Sequence, residues 1–173
     1  MVATTPSREA LVWEALAEIS DPEIPAISLV DLGVIGGVSF ESLPDGRERL
    51  SVALLPTFVG CPAIEVMRQQ IGERLMALSL AAEVSVELSF KQPWTSERIS
   101  PAGRETLRLS GFAPPMRVAS AFDGDLLTVL PVVPCPYCSS RNTALENPFG
   151  PTLCRAIYHC ADCRQPFEAF KPV

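Results

Sequence analysis

Two Cys-x-x-Cys pairs near the carboxyl end constrain the fold of this 173-residue chain more than any other feature. Cys135 and Cys138 form one pair, Cys160 and Cys163 form the other, and 21 residues separate the inner cysteines. Two thiolates spaced in this way can bind one metal ion from a tight turn, and two such turns complete the closed tetrahedral set of structural zinc. The spacing therefore predicts a four-cysteine zinc ribbon over residues 134–173.

The size of this ribbon predicts that the metal is structural. A unit of about 40 residues buries too little apolar surface to fold alone, so metal ligation would supply folding energy. Short strands are predicted at 143–147, 153–159 and 167–170, around a bend at 148–151. Four thiolates also accept iron, so a rubredoxin-like redox centre is the alternative to zinc.

Two further side chains of the ribbon could take part in metal binding. His159 precedes Cys160 and could act as an alternative ligand, although a surface or strand position explains it as well. Cys154 has the same strand parity as Cys160, and a packed small side chain is the simpler interpretation.

The first 115 residues predict an α+β domain with the order αββαβα and a small mixed sheet. Apolar periodicity and turn residues place three helices and three strands, with Thr5 and Ser100 as the N-caps of the first and third helices and a bulge or close backbone approach at Gly36-Gly37 in the first strand. The strands at 49–55 and 84–90 flank the clearest helix, whose apolar residues step by three and four from Ile64 to Leu78, so they should be parallel. The predicted bounds are 1–115 for this domain, 116–133 for a linker or short strand, and 134–173 for the ribbon.

One cysteine lies outside the ribbon region, in the corner Gly60-Cys61-Pro62 before that helix. With Pro62 in the first helical position, Cys61 would be the N-cap, where the helix dipole favours a thiolate. Local reasoning leaves a reactive or metal-binding thiol and a structural cap equally open. Irregular segments carry Asp21, Glu23, Asp31 and Thr57, which could converge on this corner or merely cap helices and turns.

Composition excludes several classes of function. The net charge is −6, and neither part of the chain has the dense basic surface that nucleic-acid binding requires. No uncharged apolar run reaches the ~18 residues of a membrane span. The amino end lacks a basic start followed by an apolar run, so we expect a cytoplasmic protein.

Motifs spread over nearly the whole chain resemble those of a known family. The residues that carry the resemblance are Asp21–Pro25, Asp31-Leu32-Gly33, Pro56-Thr57, Gly60-Cys61-Pro62, Trp94 and Gly111–Pro115. They resemble the metal–sulfur cluster biosynthesis domain family, which includes SufT-like proteins and cytosolic iron–sulfur targeting factors. The tail, with Pro148–Cys154 and Cys160–Glu168, resembles the narrower PaaD group, the D subunits of the phenylacetyl-CoA 1,2-epoxidase system.

The resemblance implies a site in the first domain. Cys61 matches the family cysteine that is thought to handle iron or a cluster, with Asp21, Glu23 and Thr57 at neighbouring motif positions. Related sequences often carry threonine where this chain has Leu55, which removes a hydroxyl from that site. Cys154 also matches a position of the PaaD group.

The resemblance implies an accessory or maturation subunit rather than an enzyme. Such a protein would contain structural zinc, would handle transient iron or an iron–sulfur cluster at Cys61, and would support aerobic phenylacetate catabolism. Its expected partners are protein subunits of the epoxidase or the cluster-assembly machinery, and a homodimer is a further expectation. A redox subunit and a non-catalytic interaction scaffold, in which Cys61 is only a cap, are the alternatives.

Overall fold

The computed structural model describes residues 6–58, 60–115 and 132–171. These residues form two compact units, which divide the chain between Trp94 and Thr95. The first unit contains α1 (Arg8–Ala17), β1 (Ile35–Ser42), β2 (Glu48–Leu54), α2 (Ala63–Met76) and β3 (Glu83–Leu88). The second contains a 3₁₀ turn (Ser96–Arg98), α3 (Pro101–Leu109), β4 (Phe112–Ala113), β5 (Thr143–Asn147), β6 (Arg155–Cys160) and β7 (Pro166–Phe170).

The sheet of the first unit has the order β1-β2-β3. β1 and β2 form an antiparallel hairpin around the turn at 44–46, whereas β2 and β3 are parallel because α2 crosses between them. The register shifts between Ile35 and Gly37, which places a β-bulge at the Gly36-Gly37 pair, as the sequence indicates.

The helices of the first unit cover one face of this sheet. α2 packs on β3, and α1 packs on β1 and α2. On the central strand, Leu50, Val52 and Leu54 alternate toward this layer and are almost completely buried. Met67 and Ile71 of α2 face the same core, so the predicted helical periodicity is confirmed at its centre.

The helices α1 and α2 begin two residues and one residue later, respectively, than the sequence predicts. α1 has Ser7 as its N-cap, whose hydroxyl accepts from the Ala10 amide, rather than Thr5, which lies outside the described residues. α2 begins at Ala63 with Pro62 as its N-cap, so the prediction that Cys61 is the cap is wrong. α3 has the predicted Ser100 cap, whose hydroxyl accepts from the Gly103 amide.

The second unit is built on a sheet of the order β4-β7-β6-β5. β5, β6 and β7 are antiparallel neighbours and form the ribbon, while β4 adds a short parallel strand beside β7. α3 and β4 therefore belong to the same compact unit as the ribbon, although the sequence groups them with the first domain. The predicted linker lies outside the described residues except for its last two positions, and the predicted domain bounds stay a prediction.

The predicted fold class is confirmed: an α+β unit with a small mixed sheet is followed by a small β ribbon. Within the described residues, no helix is long and apolar enough to cross a membrane.

Candidate functional site

The four cysteines of the paired motifs meet at one point in the ribbon. Their sulfur atoms all lie within 4.8 Å of one another. The Cys135 and Cys163 sulfurs are 3.6 Å apart, as are those of Cys138 and Cys160. Cys160 is completely buried, whereas Cys138 is exposed, so one side of the cluster faces solvent.

Two matching turns present these sulfurs. The Ser139 amide donates to the Cys135 carbonyl at 2.9 Å, and the Arg164 amide donates to the Cys160 carbonyl at 2.9 Å. Ser139 and Arg164 follow the second cysteine of each pair and have positive φ angles of 61° and 59°. This left-handed step lets each turn close tightly enough for both of its thiols to point to one centre.

The sulfur geometry fits a tetrahedral metal ion. A Zn–S bond of about 2.3 Å implies sulfur–sulfur edges of roughly 3.8 Å in a regular tetrahedron. The two 3.6 Å separations are close to this value. Four thiolates would complete the coordination and leave no position for a substrate, which is the pattern of a structural site.

Backbone amides lower the pKa of one thiol in the cluster. The Cys163 and Asp162 amides donate to the Cys160 sulfur and lower its pKa to about 6, with a smaller contribution from the Cys138 thiol. Burial and the neighbouring thiols raise the pKa of Cys163 to about 12. A cation in the centre would favour the thiolate form of all four cysteines.

Polar side chains tie the two turns together. The Asp162 carboxylate in the second turn accepts from the Ser140 hydroxyl at 2.5 Å and from the Asn142 side-chain amide at 2.9 Å. These hydrogen bonds hold the pKa of Asp162 below its usual range. The Ala161 amide also donates to the Asn142 carbonyl at 2.9 Å. The turns therefore hold each other in position around the sulfurs.

Cys154 and His159 lie outside this cluster. Cys154 is buried, and its sulfur lies 3.1 Å from the Thr152 hydroxyl. His159 is half-buried and pairs in register with Ala144 and Pro166 on the neighbouring strands. The geometry thus agrees with a packing role for Cys154 and a strand role for His159.

The Cys61 corner lies at the carboxyl end of β2, just before α2. The Cys61 residue is half-buried, and its amide donates to the Phe58 carbonyl at 3.3 Å. The first amides of α2, from Ala63 and Ile64, donate to the Cys61 sulfur and favour a thiolate. Cys61 thus accepts the amide hydrogen bonds of a helix start even though Pro62 is the cap.

The rest of the Cys61 environment nevertheless disfavours the thiolate that the helix start favours. Burial raises the pKa of Cys61 and outweighs the two amides, and the carboxylates of Glu23 and Asp21 raise it further. The structure therefore brings three of the four predicted residues of this site into electrostatic contact. At neutral pH the thiol keeps its proton.

Asp21 also has a structural task. Its carboxylate accepts from the Glu23 amide at 2.8 Å and from the Ile24 amide at 2.7 Å, which closes an Asx turn. Asp21 is buried, while Glu23 is half-buried and more accessible. Asp31, the other acid of these segments, accepts from the Ser28 hydroxyl at 2.9 Å.

Leu55 and Thr57 lie between the end of β2 and the Cys61 corner. Thr57 lies half-buried in a bend between β2 and Cys61. Leu55 is almost completely buried, and a Cβ added at Gly36 would lie 2.8 Å from its Cδ2 atom. Gly36, which has no Cβ, thus makes room for the Leu55 side chain.

The two candidate sites differ in their readiness for metal. Within residues 6–58, 60–115 and 132–171, the ribbon quartet is the one group of three or more metal-ligating side chains placed to hold an ion. Cys61, Asp21 and Glu23 do not form such a group.

Comparisons with known proteins match both parts of the chain. Residues 9–88 match the family described as "Iron-sulfur cluster assembly protein", and residues 122–171 match the "PaaD zinc beta ribbon domain". The chain is 36% identical over 160 residues to an Escherichia coli (strain K12) protein described as the D subunit of a "Putative 1,2-phenylacetyl-CoA epoxidase". This match covers 92% of the chain and 90% of the relative.

A solved structure supports the fold of the first part. The crystal structure of a domain of unknown function, DUF59, from Bacillus anthracis matches with a TM-score of 0.50 and 22% identity. It covers 57% of this chain and 90% of that protein. At this identity the likeness concerns the fold alone.

Proposed function

Since this chain belongs to the family of PaaD-like D subunits of 1,2-phenylacetyl-CoA epoxidase, we propose that it is a non-catalytic accessory subunit. In this proposal it helps to assemble or repair an iron or iron–sulfur centre of that epoxidase. The cargo binds at Cys61 and passes to a protein partner. The ribbon quartet holds a zinc ion that stabilises the second unit.

The observation that supports cargo handling most strongly is the environment of Cys61. One half-buried thiol lies among two carboxylates and two helix-terminal amides, in the part of the chain that matches the cluster assembly family. Sulfur and oxygen ligands together suit Fe²⁺ as well as zinc. The incomplete ligand set also favours transient binding, because a cargo held by few ligands can be released to a stronger site.

The raised pKa of Cys61 suits this role. A protonated thiol is a weak nucleophile and oxidises slowly, so the site is protected while it is empty. Binding of a cation displaces the thiol proton, and the carboxylates of Glu23 and Asp21, which disfavour the free thiolate, then stabilise the bound cation. Loading should therefore become stronger as pH rises.

Elemental analysis of anaerobically purified protein tests the proposal. After incubation with Fe²⁺ and desalting, the wild-type chain should contain one zinc ion and additional iron. The Cys61→Ser variant should contain the same zinc and lose the additional iron. Cys154→Ser is the matched control, because Cys154 belongs to neither site, and it should resemble the wild type.

Complementation in cells tests the biological role. A strain that lacks this protein should lose epoxidase activity, and its epoxidase should contain less metal. Expression of Cys61→Ser should restore neither the activity nor the metal content. Full restoration by Cys61→Ser would contradict cargo handling and would favour an interaction scaffold.

A redox subunit is the second candidate, because four clustered thiolates, with two sulfur pairs 3.6 Å apart, also accept a single iron ion. Such a protein would be coloured when oxidised and would bleach on reduction. Colourless protein that contains zinc would exclude this alternative.

A further inference from the structure

The sheet of the first unit leaves the face opposite its helices open. A groove of about 670 Å³ runs over this face. Ser51 and Ala53 of β2 line it, because they alternate with the buried Leu50, Val52 and Leu54. No described residue of the unit covers this groove, whereas α1 and α2 cover the other face.

The floor of the groove consists of small side chains in register. Gly37 lies opposite Ala53, and Ser39 lies opposite Ser51, across the β1–β2 pair. Such a floor permits close approach by the backbone of another segment. Phe90, with 66% of its surface exposed, forms an apolar wall at one end.

Charge indicates what kind of segment can lie there. Residues 1–94 contain six basic and thirteen acidic side chains, which gives the first unit a net charge of −7. All five of its arginines form ion pairs with acids of the same unit. The groove itself has the exposed carboxylates of Glu41 and Glu87 near opposite ends, against the single ammonium group of Lys91.

The groove reaches the edge of the sheet that carries the Cys61 corner. β2 and β3 are parallel, with Leu54 beside Leu88, so the chain leaves both strands at the same edge. The Ser89 amide donates to the Leu54 carbonyl at 2.9 Å, which holds the start of the Ser89–Lys91 segment against the end of β2. The Cys61 loop continues from that strand end. A partner in the groove would therefore approach the loop that carries the thiol.

We propose that this groove is the docking site for a cationic segment of a protein of the epoxidase system. The segment places an apolar side chain against Phe90 and basic side chains near Glu41 and Glu87. This inference rests on the proposed function, since it names the surface through which the partner that receives the cargo is held. Opposite charges should accelerate association, which makes binding sensitive to salt.

Binding of the full-length chain to the purified epoxidase subunits tests this inference. The affinity should fall at least tenfold between about 50 and 300 mM salt, where screening shortens the Debye length. The double variant Glu41→Lys/Glu87→Lys should lose at least tenfold in affinity at low salt, mainly through slower association. Ser51→Trp fills the groove without a charge change and should weaken binding through steric exclusion.

A matched control separates the groove from overall charge. Glu14→Lys/Glu73→Lys makes the same change of net charge at exposed positions on α1 and α2, and it should change the affinity less than threefold. Equal losses in the two double variants would overturn the proposal, as would binding that is insensitive to salt and to Ser51→Trp. Loss of self-association by the groove variants would show instead that a second copy of this chain occupies the face.

Cys61→Ser distinguishes docking from cargo handling. It should bind the epoxidase subunits with wild-type affinity while it fails to load iron. The groove variants should load iron normally and fail to dock. If Cys61→Ser supports full epoxidase activity in cells while the groove variants still lose binding, the proposed function fails and the docking site stands.

Discussion

Substitution of one ribbon cysteine should unfold the second unit and leave the first unit folded. Cys160 is the best target, because it is completely buried and belongs to a core cluster with Ala113, Cys135, Phe167 and Ala169. Cys160→Ser replaces a thiolate with a neutral hydroxyl, which leaves three protein ligands for the metal. The two units divide the chain between Trp94 and Thr95, so the core of the first does not depend on the lost ligand.

The expected magnitude follows from the sulfur geometry. A regular tetrahedron with edges equal to the two 3.6 Å separations would place a central ion roughly 2.2 Å from each sulfur, close to the usual Zn–S bond of about 2.3 Å. A structural zinc site of this kind contributes about 10–16 kcal/mol to folding. A ribbon of about 40 residues has a net stability of roughly 2–6 kcal/mol at ordinary values per residue. Loss of even a third of the metal contribution therefore consumes most of the stability of the ribbon.

Amide hydrogen exchange on the full chain measures this effect directly. In Cys160→Ser, the amides of β6 and β7 should exchange at rates near those of an unfolded chain, and zinc content should fall. The amides of β2 and β3 should keep their protection. Cys154→Ser is the control, since Cys154 is also buried but lies outside the quartet. Wild-type protection of β6 and β7 in metal-free Cys160→Ser would refute the reasoning.

Three further predictions concern single side chains. Gly111 has a φ of 84°, and a Cβ there would lie 2.7 Å from the Tyr137 hydroxyl, so Gly111→Ala should lower the free energy of unfolding by about 1–3 kcal/mol in urea titrations. The control Gly37→Ala should lower the free energy of unfolding by less than about 1 kcal/mol. Trp94 Nε1 donates to the buried Leu32 carbonyl at 2.9 Å, so Trp94→Phe should lower the free energy of unfolding by about 1–3 kcal/mol in the same titration. An unchanged unfolding midpoint would contradict this prediction. The pKa of Cys61 lies above its ordinary value of 9.0, so the rate at which iodoacetamide alkylates this thiol, measured by mass spectrometry of its peptide, should rise with pH above that value. Glu23→Gln should move this pH profile to lower pH, because it removes a carboxylate that raises the pKa. The raised pKa of Cys61 also stabilises the folded state while the thiol is protonated. This contribution to the free energy of unfolding is complete below pH 9.0 and is lost as pH rises through the raised pKa.

Local signals of the sequence predict most of this fold. The ribbon cysteines could be assigned as metal ligands from the sequence, because two Cys-x-x-Cys pairs are best explained by two tight turns around one metal ion. The α2 periodicity predicts the burial of Met67, Ile71 and Leu75, since one face of a helix must meet the core. The glycine pair in β1 predicts the bulge, and the pattern around α2 predicts the parallel pairing of β2 and β3.

Features that depend on contacts distant in sequence could not be predicted in this way. β4 consists of Phe112 and Ala113, which is too short for any periodicity, and its pairing with β7 depends on residues more than 50 positions away. The open face of the first sheet could not be recognised either. Gly37, Ser39 and Ser51 are ordinary strand residues in the sequence, and only the register places them side by side.

The acid–base state of Cys61 shows why sequence alone leaves the reactivity of such a thiol open. The position before a helix correctly indicates amide donors, and Ala63 and Ile64 supply them. Burial, however, depends on the whole unit, and the nearby charges of Glu23 and Asp21 come from a segment almost 40 residues earlier in the chain. Since desolvation and like charge together outweigh two hydrogen bonds, the pKa of the thiol is raised above its ordinary value. In the proposed function such a thiol would gain its thiolate form only on contact with metal, which suits a carrier better than a nucleophile, and this distinction rests on the long-range contacts.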